Sequence, residues 1–323
     1  MMSSAEHSRG TSTLRVLFCG TPQFAVPTLK HFLAKSDFEV IAVITQPDRP
    51  RGRGQQVSFS PVKEVALAAR LPLHQPGKIR APEVEGHLWN LELDAVVIIA
   101  YGQIIPKRLL PIPRLGWINL HASLLPKYRG AAPIHWAIAN GETVTGNTTM
   151  RINAGMDTGE ILLQQEMAIG PAETSPELGT RLAEAGARLM AETLRRLMNG
   201  ELEGRAQNHA LATLAPMLKR EDGRIAWART ATEIYNRMRA FAPWPGAYTE
   251  FRGQTCHLVG EAVPSESSPA APGSLVVRKD GLRVVCGEGS LLEVLSVKQE
   301  GRKLVTVAEF LRGARITDGE RFS

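Results

Sequence analysis

The stretch LDAVVIIAYG, residues 93–102, decides the fold. From Ala95 to Ala100 it holds six apolar residues in a row, four of them β-branched. A strand with one wet face alternates apolar and polar side chains, whereas a strand that is apolar at every position has both faces covered. Covering of that kind comes from crossover helices, and crossover helices join parallel strands. Outward from this stretch the same texture recurs. LRVLFCG (14–20), FEVIAVITQPD (38–48) and GWINLHAS (116–123) read as further strands. Between them TPQFAVPTLKHFLAKS (21–36) and SPVKEVALAAR (60–70) read as helices, the second with Ser60 as N-cap and Pro61 in its first position. TGNTTMRI (145–152) and EILLQQEMAI (160–169) read as strands joined by a short loop, so the sheet should end in an antiparallel pair. The segment 175–204 then closes this half. Its Leu178, Leu182, Ala185, Leu189 and Leu197 recur at helical spacing and mark a core-facing stripe.

The texture changes near residue 206. A Pro-Trp-Pro segment is followed by short β-rich runs punctuated by Gly and Asp-Gly, with Lys279-Asp280-Gly281 as a hairpin turn. The expected architecture is therefore α/β: a Rossmann-like, mostly parallel sheet with helices on both faces, plus a C-terminal OB-like small β-barrel domain. Residues 1–13 are polar and read as a flexible start without a secretory segment, 14–205 as the catalytic domain, and 206–323 as the barrel domain with a linker at its start.

The bulk numbers narrow the function classes. The chain has 323 residues, 43% hydrophobic and 22% charged, which suits two packed domains. No apolar stretch is long enough to span a bilayer, so no membrane partner is expected. Cys19, Cys256 and Cys286 are far apart and form no C-x-x-C pair. That pattern argues against a disulfide framework or a cysteine zinc site and points to the reducing cytoplasm. The formal charge of +6 hints at a polyanionic partner.

Chemistry enters in WINLHASLLPKYRG (117–130). Asn119 and His121 stand two apart on a strand and so share one face at its end. In AGMDTGEILLQQ (154–165) a Gly-flanked loop carries Asp157. Alone, Asp157 reads as a turn residue. Beside an imidazole, a carboxylate favours the protonated ring and fixes its orientation. A protonated His and an Asn amide aimed at one point suit the oxyanion of an acyl-transfer intermediate. The first βα turn holds only Gly20 of a G-x-G-x-x-G pattern, which disfavours a dinucleotide. G-x-S-x-G is absent, so direct transfer is favoured over a covalent enzyme intermediate. A single Asp-Thr-Gly does not make an aspartic protease, which needs two.

These residues carry a resemblance. NLHASLLPKYRGAAPIHWAI and GETVTGNTTMRINAGMDTGEIL, with FCGTPQFA, VITQPDRPRGRGQQ, SPVKEVA, AYGQIIP and RAFAPWPGAYT, resemble the folate-dependent formyltransferases over nearly the whole chain. The resemblance implies 10-formyltetrahydrofolate as donor and no metal. It implies Asn119 and His121 for the formyl oxygen, with Asp157 orienting His121. Ser123, Leu124, Leu125 and Pro126 match the family's folate-contacting turn, and Ala100, Tyr101, Gly102 and Ile104, within 100–105, its pterin pocket. The implied acceptor is an aminoacylated initiator tRNA, met by a monomer. Arg49, Arg51 and Arg53 in the Pro- and Gly-rich loop 46–56 are similar to the loop that reaches the acceptor arm, and this loop is expected to be unordered without RNA. The downstream half has 16 Lys and Arg against 13 Asp and Glu from residue 206 on, so an RNA groove there must come from clustering. Lys219, Arg220 and Arg237 are its candidates, with Arg224, Arg239, Lys298, Arg302 and Lys303 behind them. An amino-sugar-nucleotide formyltransferase is the nearest alternative, and the basic loop is the feature it does not need. A formyltransferase of purine synthesis would lack the second domain. A non-catalytic RNA-binding module would have no use for the full Asn, His and Asp set.

Overall fold

The structure is a computed structural model that describes residues 13–51, 56–279, 281–317 and 320–323. In chain order the strands of the first half are β1 (Leu14–Gly20), β2 (Phe38–Ile44), β3 (Arg49–Arg51), β4 (Gln56–Ser58), β5 (Leu73–His74), β6 (Ala95–Ile99), β7 (Trp117–His121), β8 (Val144–Arg151) and β9 (Ile161–Ala168). The helices are α1 (Val26–Leu33), α2 (Pro61–Ala68), α3 (Pro82–Trp89), α4 (Pro133–Ala139) and α5 (Ser175–Met198). Later come α6 (Ala231–Ala240), β10 (Tyr248–Phe251), β11 (Gln254–Ser267), β12 (Leu275–Val277), β13 (Leu282–Val285), β14 (Ser290–Gln299), β15 (Val305–Thr306) and α7 (Val307–Ala314).

Two compact units divide the chain. The first takes the chain up to Arg129, then Gly146–Met167 and Gly179–Leu214; the second takes Gly130–Thr145, Ala168–Leu178 and Ala215–Ser323. Seven strands make the main sheet, in the order β5-β2-β1-β6-β7-β8-β9. The β2–β5, β1–β2, β1–β6 and β6–β7 ladders are parallel, and β7–β8 is antiparallel. The chain leaves β1 toward β2 on one side and later returns to β6 on the other. That reversal opens a crevice at the carboxyl ends of the strands, where open α/β sheets place their ligands.

Each face of the sheet has its own core, as the unbroken apolar strands require. On one face Val16, Phe18, Val43, Val97, Ile99, Ile118 and Leu120 pack with Val26, Leu29 and Phe32 of α1, Val62 and Ala66 of α2, and Met190 and Leu194 of α5. On the other, Leu17, Cys19, Ile44, Val96, Ile98 and Trp117 pack with Ile79, Leu88, Ile105 and Leu109. Each fully buried side chain of this size contributes about 1.5–3 kcal/mol. Strand β6 stops at Ile99 because Ala100 turns left-handed at φ +48° and Gly102 follows at φ +85°. Helix α2 begins as its sequence dictates: the Ser60 hydroxyl accepts from the Lys63 amide at 3.1 Å, and Pro61 opens the helix.

The loop 46–56 departs from expectation. The sequence reads it as unstructured, yet Arg49–Arg51 pairs antiparallel with Gln56–Ser58 as a two-stranded ribbon. Main-chain pairing of two three-residue strands leaves no periodic mark in a Pro-, Arg- and Gly-rich sequence. The second unit holds the antiparallel sheet β10-β11-β14-β13-β12, with β15 on β14. Trp227, Ile234, Met238, Phe251, Leu258, Val284, Cys286, Val294 and Phe310 are among its buried core. The Lys279-Asp280-Gly281 turn sits between β12 and β13, with Asp280 outside the described residues. No described helix is long and apolar enough to cross a membrane.

Candidate active site

Strand β7 ends at the crevice. Trp117, Asn119 and His121 share one face of it, and Trp117 anchors that face in the core with its indole N–H on the Leu109 carbonyl at 2.8 Å. Register against β6 and β8 fixes where the next two side chains emerge: Asn119 lies opposite Ile98 and Met150, and His121 opposite Thr148.

His121 is buried, its Nε2 is hydrogen-bonded and its Nδ1 faces a carboxylate. Its Nε2 donates to the Tyr128 carbonyl at 2.9 Å, since a carbonyl only accepts. Nδ1 faces Asp157 Oδ2 at 3.7 Å. An imidazolium supplies an N–H to each acceptor, while a neutral ring supplies only one. The Asp157 loop thus meets the end of β7, as the sequence reading requires. The 3.7 Å gap leaves the Nδ1 edge free to share its proton with a third group.

Asn119 is 9% exposed, and its carboxamide makes no hydrogen bond among the described residues. Buried amides are almost always partnered, because an unpartnered one forfeits its hydration. The carboxamide stands two residues from the imidazole, at the same end of β7.

The loop bearing Asp157 is set by close packing. Asp157 itself is left-handed at φ +52°. The Asn153 side chain accepts from the Gly155 amide at 3.0 Å and the Thr158 hydroxyl at 2.9 Å. A Cβ on Gly159 would lie 1.7 Å from the Arg151 carbonyl oxygen, so only glycine permits that approach. Gln207, which no sequence motif flags, and Arg129, at the end of the WINLHASLLPKYRG stretch, complete the surroundings. Gln207 donates to the carbonyls of Asp157 and Gly159 and accepts from the buried Arg129, which also reaches His209 Nδ1 at 3.1 Å.

The turn after β7 holds its own shape. Ser123 Oγ donates to the Lys127 carbonyl at 2.6 Å, and the Leu125 amide donates to Thr148 Oγ1 at 3.1 Å while its carbonyl accepts from Gln164 at 3.0 Å. Ser123 and Leu125 are therefore committed to the turn, and half-buried Leu124 and Pro126 are the two with surface left over. In the loop after β6, Ala100, Gly102 and Ile104 are exposed, Ile104 by 87%. Tyr101 goes the other way: its ring is buried in the sheet core, its hydroxyl has no partner among the described residues, and burial pushes its phenol above the ordinary range. It offers the crevice no side chain. A polar cluster braces the neighbouring loops. Gln46 donates to the Tyr101 carbonyl at 2.9 Å, Gln75 bridges the Gln46 carbonyl and Asp48, and Lys63 pairs with Asp48. The Lys63 ammonium, then the Gln75 amide, hold the Asp48 carboxyl below the usual carboxylate range.

Among the described residues no group of three or more His, Cys, Asp or Glu is placed to hold a metal ion.

The expected RNA-facing cations fall out unevenly. Arg49 is exposed at the start of the ribbon; Arg51 lies in it with its side chain undescribed, and Arg53 lies outside the described residues. In the second unit Lys219 and Arg220 are exposed. Arg237 instead stacks over Phe241 at 4.9 Å and donates to the Asp222 carbonyl at 3.1 Å, and burial lowers the pKa of its guanidinium.

Comparisons with known proteins bear on the chain as a whole. Residues 14–194 match the formyl transferase family and residues 217–315 its C-terminal domain. A methionyl-tRNA formyltransferase of Solibacter usitatus is 52% identical over 308 residues, covering 95% of this chain and 98% of that protein. The methionyl-tRNA formyltransferase of Acidobacterium capsulatum is 53% identical over 301 residues, covering 93% and 96%. Among solved structures, the sugar 3N-formyl transferase WlaRD, crystallised with dTDP and 5-N-formyl-THF, superposes with a TM-score of 0.67 at 19% identity, covering 90% of this chain and 99% of that one. At that identity the likeness speaks for the fold alone. The chain belongs to the formyl transferase family, and the relatives that share about half of its sequence are methionyl-tRNA formyltransferases.

Proposed function

We infer that the chain transfers the formyl group of 10-formyltetrahydrofolate to the free amino group of methionyl-initiator tRNA. The observation that carries the chemistry is the Asn119 carboxamide, which makes no hydrogen bond among the described residues, on the same strand face as an imidazole whose two nitrogens both face acceptors. The name shared by relatives at about 50% identity over nearly the whole chain supports the acceptor. An amino-sugar nucleotide as acceptor has only distant structural neighbours on its side, at 19% identity and below.

The donor supplies an activated formyl carbon whose oxygen gains charge as the amine attacks and whose bond to the folate nitrogen then breaks. This chain's residues act on that oxygen. Asn119 Nδ2 and the Nδ1–H of His121 are the two donors, fixed before reaction by β7, so no reorganisation is required when the charge appears. Asp157 orients the ring from its Nδ1 side, and the Tyr128 carbonyl locks it from the other side. The buried surroundings raise the value of each donor by lowering the local dielectric. The amine loses its proton to water or to the departing nitrogen, and no covalent enzyme intermediate forms.

The donor's ring system lies against the exposed faces of Ala100, Gly102 and Ile104 and against Leu124 and Pro126. Residues 14–205 form the catalytic domain and 206–323 the tRNA-binding domain; the family matches at 14–194 and 217–315 fall inside these bounds. Arg49, with Arg51 and Arg53, meets the acceptor arm, and Lys219 and Arg220 meet phosphates further along, since Arg and Lys in exposed positions fix register on a nucleic-acid backbone. Arg237 is left out, because its guanidinium is already bonded and stacked within the second unit. The protein works as a cytoplasmic monomer. Incubation with charged initiator tRNA and 10-formyltetrahydrofolate should give N-formylmethionyl-tRNA by mass spectrometry of the released aminoacyl group. No product at micromolar enzyme would overturn the reading.

A further inference from the structure

Gln207 lies in the chain that follows α5, 78 residues from Arg129 and 50 from Asp157. It is 7% exposed. A carboxamide has two N–H donors and two acceptor positions, and here all four are used. Nε2 donates to the carbonyls of Asp157 at 2.9 Å and Gly159 at 2.7 Å. Oε1 accepts from Arg129 Nε at 3.1 Å and Arg129 Nη2 at 2.5 Å.

The two ends of this amide lead to the two sides of His121. Arg129 directly follows Tyr128, whose carbonyl takes the Nε2 proton. The Asp157 main chain carries the carboxylate that faces Nδ1. One side chain thus ties the backbone that holds one ring nitrogen to the backbone that presents the acceptor for the other. The Asp157 backbone needs such a tie. Its φ of +52° is a conformation that a non-glycine residue keeps only when its surroundings impose it. The loop's own bonds, from Asn153 to Gly155 and Thr158, and the Ile152 amide on the Trp117 carbonyl at 2.8 Å hold its base, and Gln207 adds the bond to the Asp157 carbonyl itself.

We propose that Gln207 is a positioning residue for formyl transfer, acting through Asp157 to set the acceptor that His121 Nδ1 faces. The inference rests on the formyl-transfer reading of His121 and Asp157. Gln207→Glu separates the two ends of the tie: the carboxylate still accepts from Arg129 but cannot donate to the Asp157 and Gly159 carbonyls. The expected result is a fall in kcat of about 100-fold, the scale of an ångström's misplacement of a reacting group. KM for donor and for charged tRNA should stay close to the parent values, and the His121 ring nitrogen NMR shifts should move.

The decisive measurement is a double-mutant cycle with Asp157→Asn. If Gln207 acts through that carboxylate, Gln207→Glu costs nothing more once Asp157→Asn is present. A purely structural role would instead multiply the two losses, or lower the folded fraction with kcat per folded molecule unchanged. Either outcome overturns the inference and leaves the function standing. A near-normal kcat in Asp157→Asn alone brings down the reading beneath it and the inference together. Should the glutamate variant not fold, Gln207→Asn takes its place in the same cycle, since it keeps the amide but withdraws it by one methylene.

Discussion

Asn119→Ala separates function from stability in a way few active-site changes do. The residue is 9% exposed, and its carboxamide makes no hydrogen bond among the described residues. Truncating it removes no intramolecular hydrogen bond. The amide's polar atoms keep contact with water, so truncation relieves less than about 1 kcal/mol of desolvation penalty. Against this stands the lost packing and small void, about 1 kcal/mol. The two offset to within about 1 kcal/mol, so the unfolding midpoint should move by no more than about 4 °C in a unit of this size. The rate behaves differently. Loss of one preorganised donor to a developing oxyanion costs about 100- to 1,000-fold, or about 2.7–4 kcal/mol of transition-state stabilisation. The assay pairs steady-state kcat/KM for formylation of charged tRNA with thermal unfolding followed by near-UV circular dichroism. A variant that melts about 10 °C lower while keeping its rate per folded molecule would refute the argument. Asn119 would then be a structural residue whose partners lie elsewhere.

Further outcomes follow from other parts of the structure. His121→Ala should also lose at least about 100-fold in rate, and a near-parent rate would remove the imidazole from the mechanism. Ser60→Ala deletes the α2 cap at Lys63 and the 2.9 Å link to Thr45; it should cost about 1 kcal/mol in urea denaturation with donor affinity unchanged. Gly159→Ala forces the Asp157 loop away from the Arg151 carbonyl, so kcat should collapse while the fluorescence of buried Trp117 stays native; a fully active variant would show that the loop's placement is irrelevant. Cys286 is fully buried, and burial pushes its thiol from 9.0 to about 12. Above pH 9 the unfolded chain releases this proton and the folded one keeps it, so the folded state binds more protons there. Stability is complete below that pH and falls by up to about 1.4 kcal/mol per pH unit as pH rises toward 12. Cys286→Ala should flatten the decline, and an unchanged slope would show that the thiol titrates alike in both states.

The parts that could be read in advance are those written as local pattern. The six apolar residues from Ala95 imposed a doubly covered strand, and the structure has one. The i, i+2 spacing of Asn119 and His121 needed only the pleat of a strand to put both on one face. Asp157 is a weaker case, because an Asp in a Gly-flanked loop is ordinary turn chemistry until something brings it to a histidine 36 residues away. Gln207 was illegible: a glutamine in a linker carries no periodicity, and its value comes from four bonds to segments far off in sequence. Tyr101 misled for a physical reason. Position alone places it beside Ala100 and Gly102 at the strand's end, but its large ring gains more by entering the core than by facing the crevice. The basic ribbon at Arg49–Arg51 misled in the opposite sense, since backbone pairing is indifferent to the side chains that advertise a loop.

One feature of the imidazole's surroundings bears on how the protein tolerates change. The group that receives the Nε2 proton of His121 belongs to the peptide backbone at Tyr128. No codon substitution deletes a peptide oxygen. Drift at position 128 can alter bulk or polarity and still leave the ring's tautomer in place, provided the new residue accepts the left-handed backbone at φ +62°. Glycine and asparagine meet that condition and β-branched residues do not. A saturation library at this codon should therefore sort its survivors by backbone preference, whatever the chemistry of their side chains.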